Sequence, residues 1–244
     1  MLTLIRVILL FFWCVSASAN TIEFVVSASS GGPDDTVSRA VSAELEKNNL
    51  KIVVLNKPGG AHTIAYQYVH DNDRPTLIMS TPQIVNHKVY QQLDEIFNAG
   101  QFKNILYTSA KSNTNNINDL IVLSKTRQIK FGHGGIGSYS YIAMKTVCEQ
   151  KFNSNCLEVA YKGAATGMLD VMRGEIDAYA IVSYGSSQFS NNDKLKAIYE
   201  IDIGRENSWF KLFAKNLSLK DRQIISDTLN SLDNKFFKDM GFNK

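Results

Sequence analysis

Short β-branched and apolar runs alternate along this chain with amphipathic stretches, and the alternation predicts its main elements. Thr21-Ile22-Glu23-Phe24-Val25-Val26 reads as a strand. A loop from Ser27 to Asp35 follows, and then Val37, Ala40, Val41 and Leu45 recur at helical spacing, with Asp34 or Asp35 as the N-terminal cap. Lys51 to Leu55 forms a second strand, Lys57-Pro58-Gly59-Gly60 ends it, and Ile64 to Val69 reads as a second helix. Thr76 to Met79 is the third strand. The second half repeats the order. Gln128 to Phe131 is a strand, Gly132 to Ser138 a glycine-rich loop, Tyr139 to Gln150 a helix and Leu157 to Tyr161 a strand. Ala164 to Arg173 is a helix closed by Gly174, and Ile176 to Val182 returns as a strand. Alternating β and α elements imply parallel sheets with helices on both faces. Lys111 to Asn118 reads as a loop. Leu217 to Phe237 reads as one C-terminal helix with Ser218 as its cap.

Three of the predicted loops share a design in which a strand ends, small residues follow and a helix begins. They are Ser29 to Thr36, Pro58 to Thr63 and Gly132 to Ser138. A helix N-terminus offers free N–H groups and the positive end of the helix dipole, so it attracts anions. Glycine admits close approach to the backbone, and hydroxyls add hydrogen bonds. In open α/β sheets such loops gather at the carboxyl ends of the strands, where ligands bind. His62 and His133 lie inside two of these loops, Thr63 closes the second, and Thr81 follows the third strand. All four join the candidate ligand-binding set.

The first residues change the setting. Arg6 precedes an apolar run from Val7 to Val15 and then Ser16-Ala17-Ser18-Ala19, the layout of a secretory signal peptide cleaved after Ala19. The run is too short to span a bilayer. Phe11-Phe12-Trp13 lacks the small residues expected before a lipidated Cys14. The expected location is therefore the periplasm, with 225 residues remaining after cleavage. The formal net charge is +3 and falls to +2 without Arg6, which argues against a nucleic-acid partner. Cys148 and Cys156 then form an even pair in an oxidising compartment. It reads either as a disulfide tying a helix end to the next strand or as two small buried hydrophobes.

Signals for catalysis are poor. There is no Gly-x-Ser-x-Gly elbow and no His-Glu-x-x-His, and His62, His70, His87 and His133 share no metal-binding spacing. Gly132-x-Gly134-x-x-Gly137 has the spacing of a dinucleotide fingerprint. However, the acidic residue that should close the following strand is missing, because Glu158 opens that strand instead. No cofactor and no metal are expected.

At this point the loops carry a resemblance. Ser30 to Arg39 is similar to the Pro-Gly-Gly-Gly-Thr-Asp-x-x-x-Arg segment of the extracytoplasmic solute receptors of tripartite tricarboxylate transporters, the Bug or TctC-like family. Val53 to Gly60, Phe131 to Ser138, Val159 to Ala165 with Gly174 to Asp177, and Ser208 to Ala214 resemble further family segments in order. The resemblance implies a periplasmic binding protein of type II, with two α/β lobes closing on a small carboxylate. It implies ligand contacts at Ser29, Ser30, Gly32 and Asp35 in one lobe and at Gly135, Gly137, Ser138, Tyr161 and Asp177 in the other. The lobes are expected at residues 20–105 with 205–244, and at 106–204. The expected function is a monomeric receptor with no chemistry of its own, delivering a carboxylate ligand to membrane subunits of a transporter. The alternatives are a sensory protein of the same fold that signals to a membrane partner and, less favoured, a periplasmic hydrolase.

Overall fold

The structure, a computed structural model, describes residues 21–232 and 234–243. The expected leader and its cleavage point after Ala19 lie outside these residues. Among the described residues ten strands form two sheets. The strands are β1 (Ile22–Val26), β2 (Ile52–Asn56), β3 (Thr76–Ser80), β4 (Asp94–Gln101) and β5 (Asn104–Ser109) in the first half. They continue as β6 (Ile129–His133), β7 (Cys156–Ala160), β8 (Ala178–Val182), β9 (Leu195–Ile201) and β10 (Trp209–Lys215). The helices are α1 (Pro33–Glu46), α2 (Thr63–Asp71), α3 (Ile117–Ser124) and α4 (Tyr139–Lys151), followed by α5 (Ala164–Arg173), α6 (Ser187–Ser190), α7 (Leu219–Ser231) and α8 (Asn234–Asp239).

The sheet orders are β2-β1-β3-β10-β4 and β7-β6-β8-β5-β9. Each begins with three parallel strands, followed by one strand (β10 or β5) antiparallel to both its neighbours and by an edge strand (β4 or β9). The two lobes are therefore wired alike, as mixed rather than wholly parallel sheets. The parallel strands and their crossover helices follow the sequence pattern closely. The antiparallel strands were not read from it, for a physical reason. β4 and β9 are edge strands with polar, half-exposed rows, and register shifts interrupt their pairing with β10 and β5, so strict alternation is lost.

Period-two alternation gives each sheet two cores. In the first lobe Phe24, Leu77, Met79, Phe210 and Leu212 pack against Val37, Val41 and Leu45 of α1 and Ile225 and Leu229 of α7. Their neighbours Val25, Ile78 and Phe213 turn to the other face, onto Ala65, Tyr66 and Val69 of α2. In the second lobe Leu106, Ile129, Phe131 and Ala180 face Met144 and Val147 of α4, while Tyr107, Tyr179 and Ile181 face Met168 and Val171 of α5.

Three local expectations need correction. Helix α1 starts at Pro33 with Gly32 as its N-cap, and no side chain caps it. Proline has no N–H and a preset φ, which suits the first helical position, so Asp34 and Asp35 fall inside the first turn. The C-terminal helix is two helices, because Leu232 adopts an extended conformation after α7. The segment read as a loop to Asn118 already enters α3 at Ile117, where Asn116 and Asp119 make a reciprocal capping box.

The chain passes between sheets at Phe102–Lys103 and again over residues 202–208. A third connection is made by packing. Tyr184, just after β8 of the second lobe, is buried in the core of the first and stacks on Phe210 at 4.3 Å and Phe242 at 5.1 Å, with Phe102 edge-on at 5.0 Å. Such ring pairs add about 0.5–1.5 kcal/mol each beyond the area they bury. Gly185 follows at φ 57°, and a Cβ there would lie 2.3 Å from the Pro33 carbonyl oxygen. No side chain fits at this crossing.

Asp35 anchors the first loop from below. Its carboxylate accepts hydrogen bonds from the Gly31 amide at 2.9 Å, Arg39 Nε at 3.0 Å and Asn56 Nδ2 at 2.8 Å. Burial alone would raise its pKa, but the bonds from Arg39, Gly31 and Asn56 together outweigh burial and hold it below the ordinary 3.8. On the other lobe Cys148 and Cys156 form a disulfide with Cα atoms 6.1 Å apart, joining the end of α4 to the start of β7.

Two predictions follow from these anchors. A carboxyl whose folded pKa is depressed stabilises the fold above its unfolded pKa and loses that contribution as pH falls through the folded value. Asp35→Asn should therefore cost about 1–3 kcal/mol at neutral pH and flatten the loss of stability below about pH 4, measured by urea denaturation across pH. Cys148→Ser with Cys156→Ser should lower stability by about 2–3 kcal/mol, from the loop-closure entropy of a short ring. Reductant should destabilise the wild type by a like amount and leave the double variant unchanged.

Candidate functional site

The carboxyl ends of β1 and β6 face each other, and the loops that follow them enclose a cavity of about 130 Å³ between the lobes. This is the position where the strand order of each lobe reverses and crossover helices diverge, leaving a crevice. The first lobe contributes Ser27, Ser29, Gly32, Asp34, Ala61 and His62, among others. The second contributes Gly134, Ser138, Tyr139 and Ser140, the segment from Lys162 to Ala165, and Tyr179 to Val182 with Tyr184. Contacts across the mouth hold the lobes together. Ser29 Oγ donates to the Lys162 carbonyl at 3.2 Å, Gln188 Nε2 donates to the Gly31 carbonyl at 2.7 Å, and Gln83 Nε2 donates to the Gly137 carbonyl. The two walls are closed on each other.

Of the residues proposed from sequence, Ser29, Gly32, His62 and Ser138 line this cavity. The others do not line it, each for a local reason. Ser30 is exposed, with its hydroxyl toward Asp35, and Asp35 is consumed by Arg39, Asn56 and the loop backbone. Thr63 donates to the Gly60 carbonyl on the outer side of its turn. Thr81 is buried at the end of β3 beside the hydroxyls of Tyr66 and Tyr139. His133 is also buried, and its Nδ1 accepts from the Gly135 amide, which shapes the glycine loop from behind. Burial holds its pKa below the ordinary 6.5, against the opposing pull of Glu158. Gly135 and Gly137 take up positive φ to turn that loop and present no surface to the cavity. Tyr161 donates its hydroxyl to Asp170 at 2.9 Å. Asp177 is the largest departure. It lies before β8, at the end away from the cavity, in a two-pronged bond to Arg127 at 2.6 and 2.7 Å.

A hydrogen-bonded chain runs along the first-lobe wall. His62 Nδ1 lies 2.8 Å from Ser27 Oγ, and Ser27 Oγ donates to Asp34 Oδ2 at 3.3 Å. Tyr184, reaching over from β8, donates to Asp34 Oδ1 at 2.8 Å. Burial pushes the His62 pKa below 6.5 despite the nearby Asp34 charge, so the ring is neutral near pH 7. Burial, the Asp34 charge and the bond to it push the Tyr184 hydroxyl well above its ordinary pKa of 10.0. His62 has φ 76° and its neighbour Ala61 φ 47°, left-handed values that non-glycine residues adopt at a cost of about 1–3 kcal/mol. The packing of the second loop overrides that preference and brings His62 to the wall.

The second-lobe wall is different in kind. Helix α5 begins after Gly163 with no side-chain cap, and Gly163, Ala164 and Ala165 line the cavity, so its first-turn N–H groups are free to meet a ligand. Lys162 stands beside them. Helix α4 begins at the same cavity with Tyr139 and Ser140, and the Ser138 hydroxyl caps the Tyr141 amide. Tyr139 and Tyr179 supply the apolar faces, and burial pushes the Tyr179 hydroxyl up to about 12.

Sequence reading missed Ser27, Asp34, Tyr139, Ser140, the Lys162–Ala165 turn and Tyr184. Two of these carried a signal. Asp34 precedes Val37 by three positions and Val41 by seven, which places it on the buried face of α1. Lys162-Gly163-Ala164-Ala165 is a fourth strand–glycine–helix junction of the same design as the other three. Tyr184 carried none, because only the crossing of the lobes brings it to Asp34.

Comparison with known proteins agrees with this architecture. No protein among the curated sequences matches this chain. Among solved structures, Rpa4515 of R. palustris, determined with adipate, superposes with a TM-score of 0.79 at 18% identity, covering 92% of this chain and 88% of that one. MatC from Rhodopseudomonas palustris, determined with bound malate, gives 0.73 at 18% identity, over 91% and 88% of the two chains. The periplasmic binding protein BugD gives 0.72 at 20% identity, over 90% and 85%. At such identities the likeness is one of fold, that of two-lobed periplasmic binding proteins. The sequence profile of the tripartite tricarboxylate transporter family receptors matches residues 37–212, which takes in most of both lobes. This chain belongs to the tripartite tricarboxylate transporter receptor family and is a periplasmic solute-binding receptor.

Proposed function

We propose that the receptor captures a small carboxylate-bearing ligand in the cavity between its lobes and presents the closed form to membrane subunits of a tripartite transporter. The observation that carries the carboxylate is the uncapped N-terminus of α5 with Lys162 beside it, on the wall of the cavity. Free amides and the positive helix end converge there beside Lys162, whose charge adds to their attraction for a carboxylate. The adipate and malate in two neighbours of the same fold support the same class of ligand. Ser29, Gly32, His62 and Ser138 are retained as ligand-facing residues. Ser30, Asp35 and His133 serve to shape the loops around them. The leader ends at Ala19 in this reading and delivers a chain that acts as a monomer. Ligand binding requires no chemical step, and the family is one of receptors.

Closure is the second part of the mechanism. A ligand that touches both walls binds the closed form better than the open one and shifts the population toward it. Gly163 sits at the point of contact, since a Cβ there would lie 2.9 Å from Ser29 Oγ and 3.2 Å from Ser29 Cβ. Its backbone is extended and accepts any residue.

Titration calorimetry against a panel of short mono- and dicarboxylates tests the binding. At least one member should bind, and Lys162→Gln should weaken it by about three- to thirtyfold while reducing its salt dependence. Silence across the whole panel would overturn the reading. Gly163→Val should leave the melting temperature nearly unchanged but weaken binding at least several-fold, with small-angle scattering showing a more open particle in the presence of ligand. An unchanged affinity would mean that closure at this contact is not linked to binding.

A further inference from the structure

The two walls of the cavity carry opposite charge. Asp34 is the acidic residue among those lining the cavity, and Lys162 is the Lys or Arg. They belong to opposite lobes. Asp34 is 7% exposed, and among the described residues it makes no ion pair. Among the described residues its carboxylate accepts only from the neutral hydroxyls of Tyr184 and Ser27. A carboxylate has about four acceptor positions, and two are occupied here. Buried carboxylates are ordinarily paired with a cation, because desolvation without one is expensive. The positive end of α1 offsets part of this cost, but Asp34 and Asp35 both stand in that first turn and already meet it. The nearest basic groups do not complete the pair. Arg39 is turned to Asp35 and Asn56, outside the cavity, and His62 bonds to Ser27 rather than to Asp34.

The first-lobe wall therefore repels a second carboxylate, while the second-lobe wall attracts one. Resting on the carboxylate reading of the α5 end given above, we propose that the ligand is a small zwitterion, its carboxylate at the N-terminus of α5 and its ammonium on Asp34. Asp34 is then a specificity-determining residue that selects amino acids over dicarboxylates. A metal ion is a poorer occupant, since no group of three His, Cys, Asp or Glu side chains converges among the described residues. The hydroxyls of Tyr184 and Ser27 hold the carboxylate in place, so that an ammonium meets a preorganised acceptor. The aromatic rings of Tyr139 and Tyr179 on the cavity wall suit the apolar stem between the two charges, and a cavity of about 130 Å³ limits that stem to a short one.

Calorimetry with length-matched pairs separates this from simple dicarboxylate binding. Glutarate is compared with γ-aminobutyrate and adipate with δ-aminovalerate, and the α-amino acids alanine and glutamine are included. The wild type should bind at least one amino acid roughly tenfold or more tightly than any dicarboxylate, the value expected of a charged hydrogen bond. Asp34→Asn, which keeps the shape and the bond from Tyr184, should erase that preference and gain affinity for a dicarboxylate. Preference of the wild type for dicarboxylates would overturn the inference and leave the carboxylate reading standing. So would an amino-acid preference that Asp34→Asn leaves unchanged. Silence toward both sets and toward the monocarboxylates of the earlier panel would overturn both readings. Should the variant fail to fold, shown by loss of its cooperative melt, the selectivity ratio of the wild type decides alone.

Discussion

Tyr184 holds the site in one piece. It leaves the end of β8 in the second lobe, is buried among Phe102, Phe210 and Phe242 in the first, and donates its hydroxyl to Asp34 at the start of α1. The stack fixes the ring, and the ring fixes the carboxylate. Gly185, pressed against the Pro33 carbonyl, lets the chain leave again without displacing α1. The loops that close the cleft, around Ser29, Gly137 and Lys162, are therefore positioned relative to a crossing point whose geometry is set by packing.

Helix ends decide the electrostatic character of the cleft. Four helices start at it, α2 among them with His62 as its N-cap, and their N-termini are treated differently. The end of α1 meets the chain's own Asp34 and Asp35. The end of α4 is capped by Ser138. Helix α5 also reaches the cavity without a side-chain cap, and it differs from α1 in having no acidic residue in its first turn and a lysine beside it. The dipoles are equivalent in origin, so the capping residues differentiate them. The first-lobe wall thus carries Asp34, and the second-lobe wall the open end of α5 with Lys162.

Much of this was visible in the sequence, and the exceptions have identifiable causes. The parallel strands and helices α1, α2, α4 and α5 were legible because their hydrophobic periods are local and strong. Strands β4, β5, β9 and β10 were not, since edge exposure and register shifts blur the alternation and their partners come from distant segments. At the site, Ser29, Gly32, His62 and Ser138 followed from loop design. Asp177 lies at the end of β8 away from the cavity and pairs with Arg127. Asp35 anchors the loop, whereas its neighbour Asp34 faces the cavity. Adjacent helical positions point about 100° apart, so a one-residue difference separates a loop anchor from a residue on the cavity wall.

What the sequence determined by itself was short-range: where strands end, where helices start, which loops are small enough to admit a ligand, and a family pattern distributed in order along both lobes. These depend on residues within one or two turns of one another. What only the tertiary structure decided was which of those loops face each other and which charge each presents. Tyr184 and Asp34 are 150 positions apart, and Ser29 and Lys162 are 133 apart. No local pattern couples residues at such separations. Their meeting is imposed by the packing of two similarly wired lobes around a shared aromatic crossing.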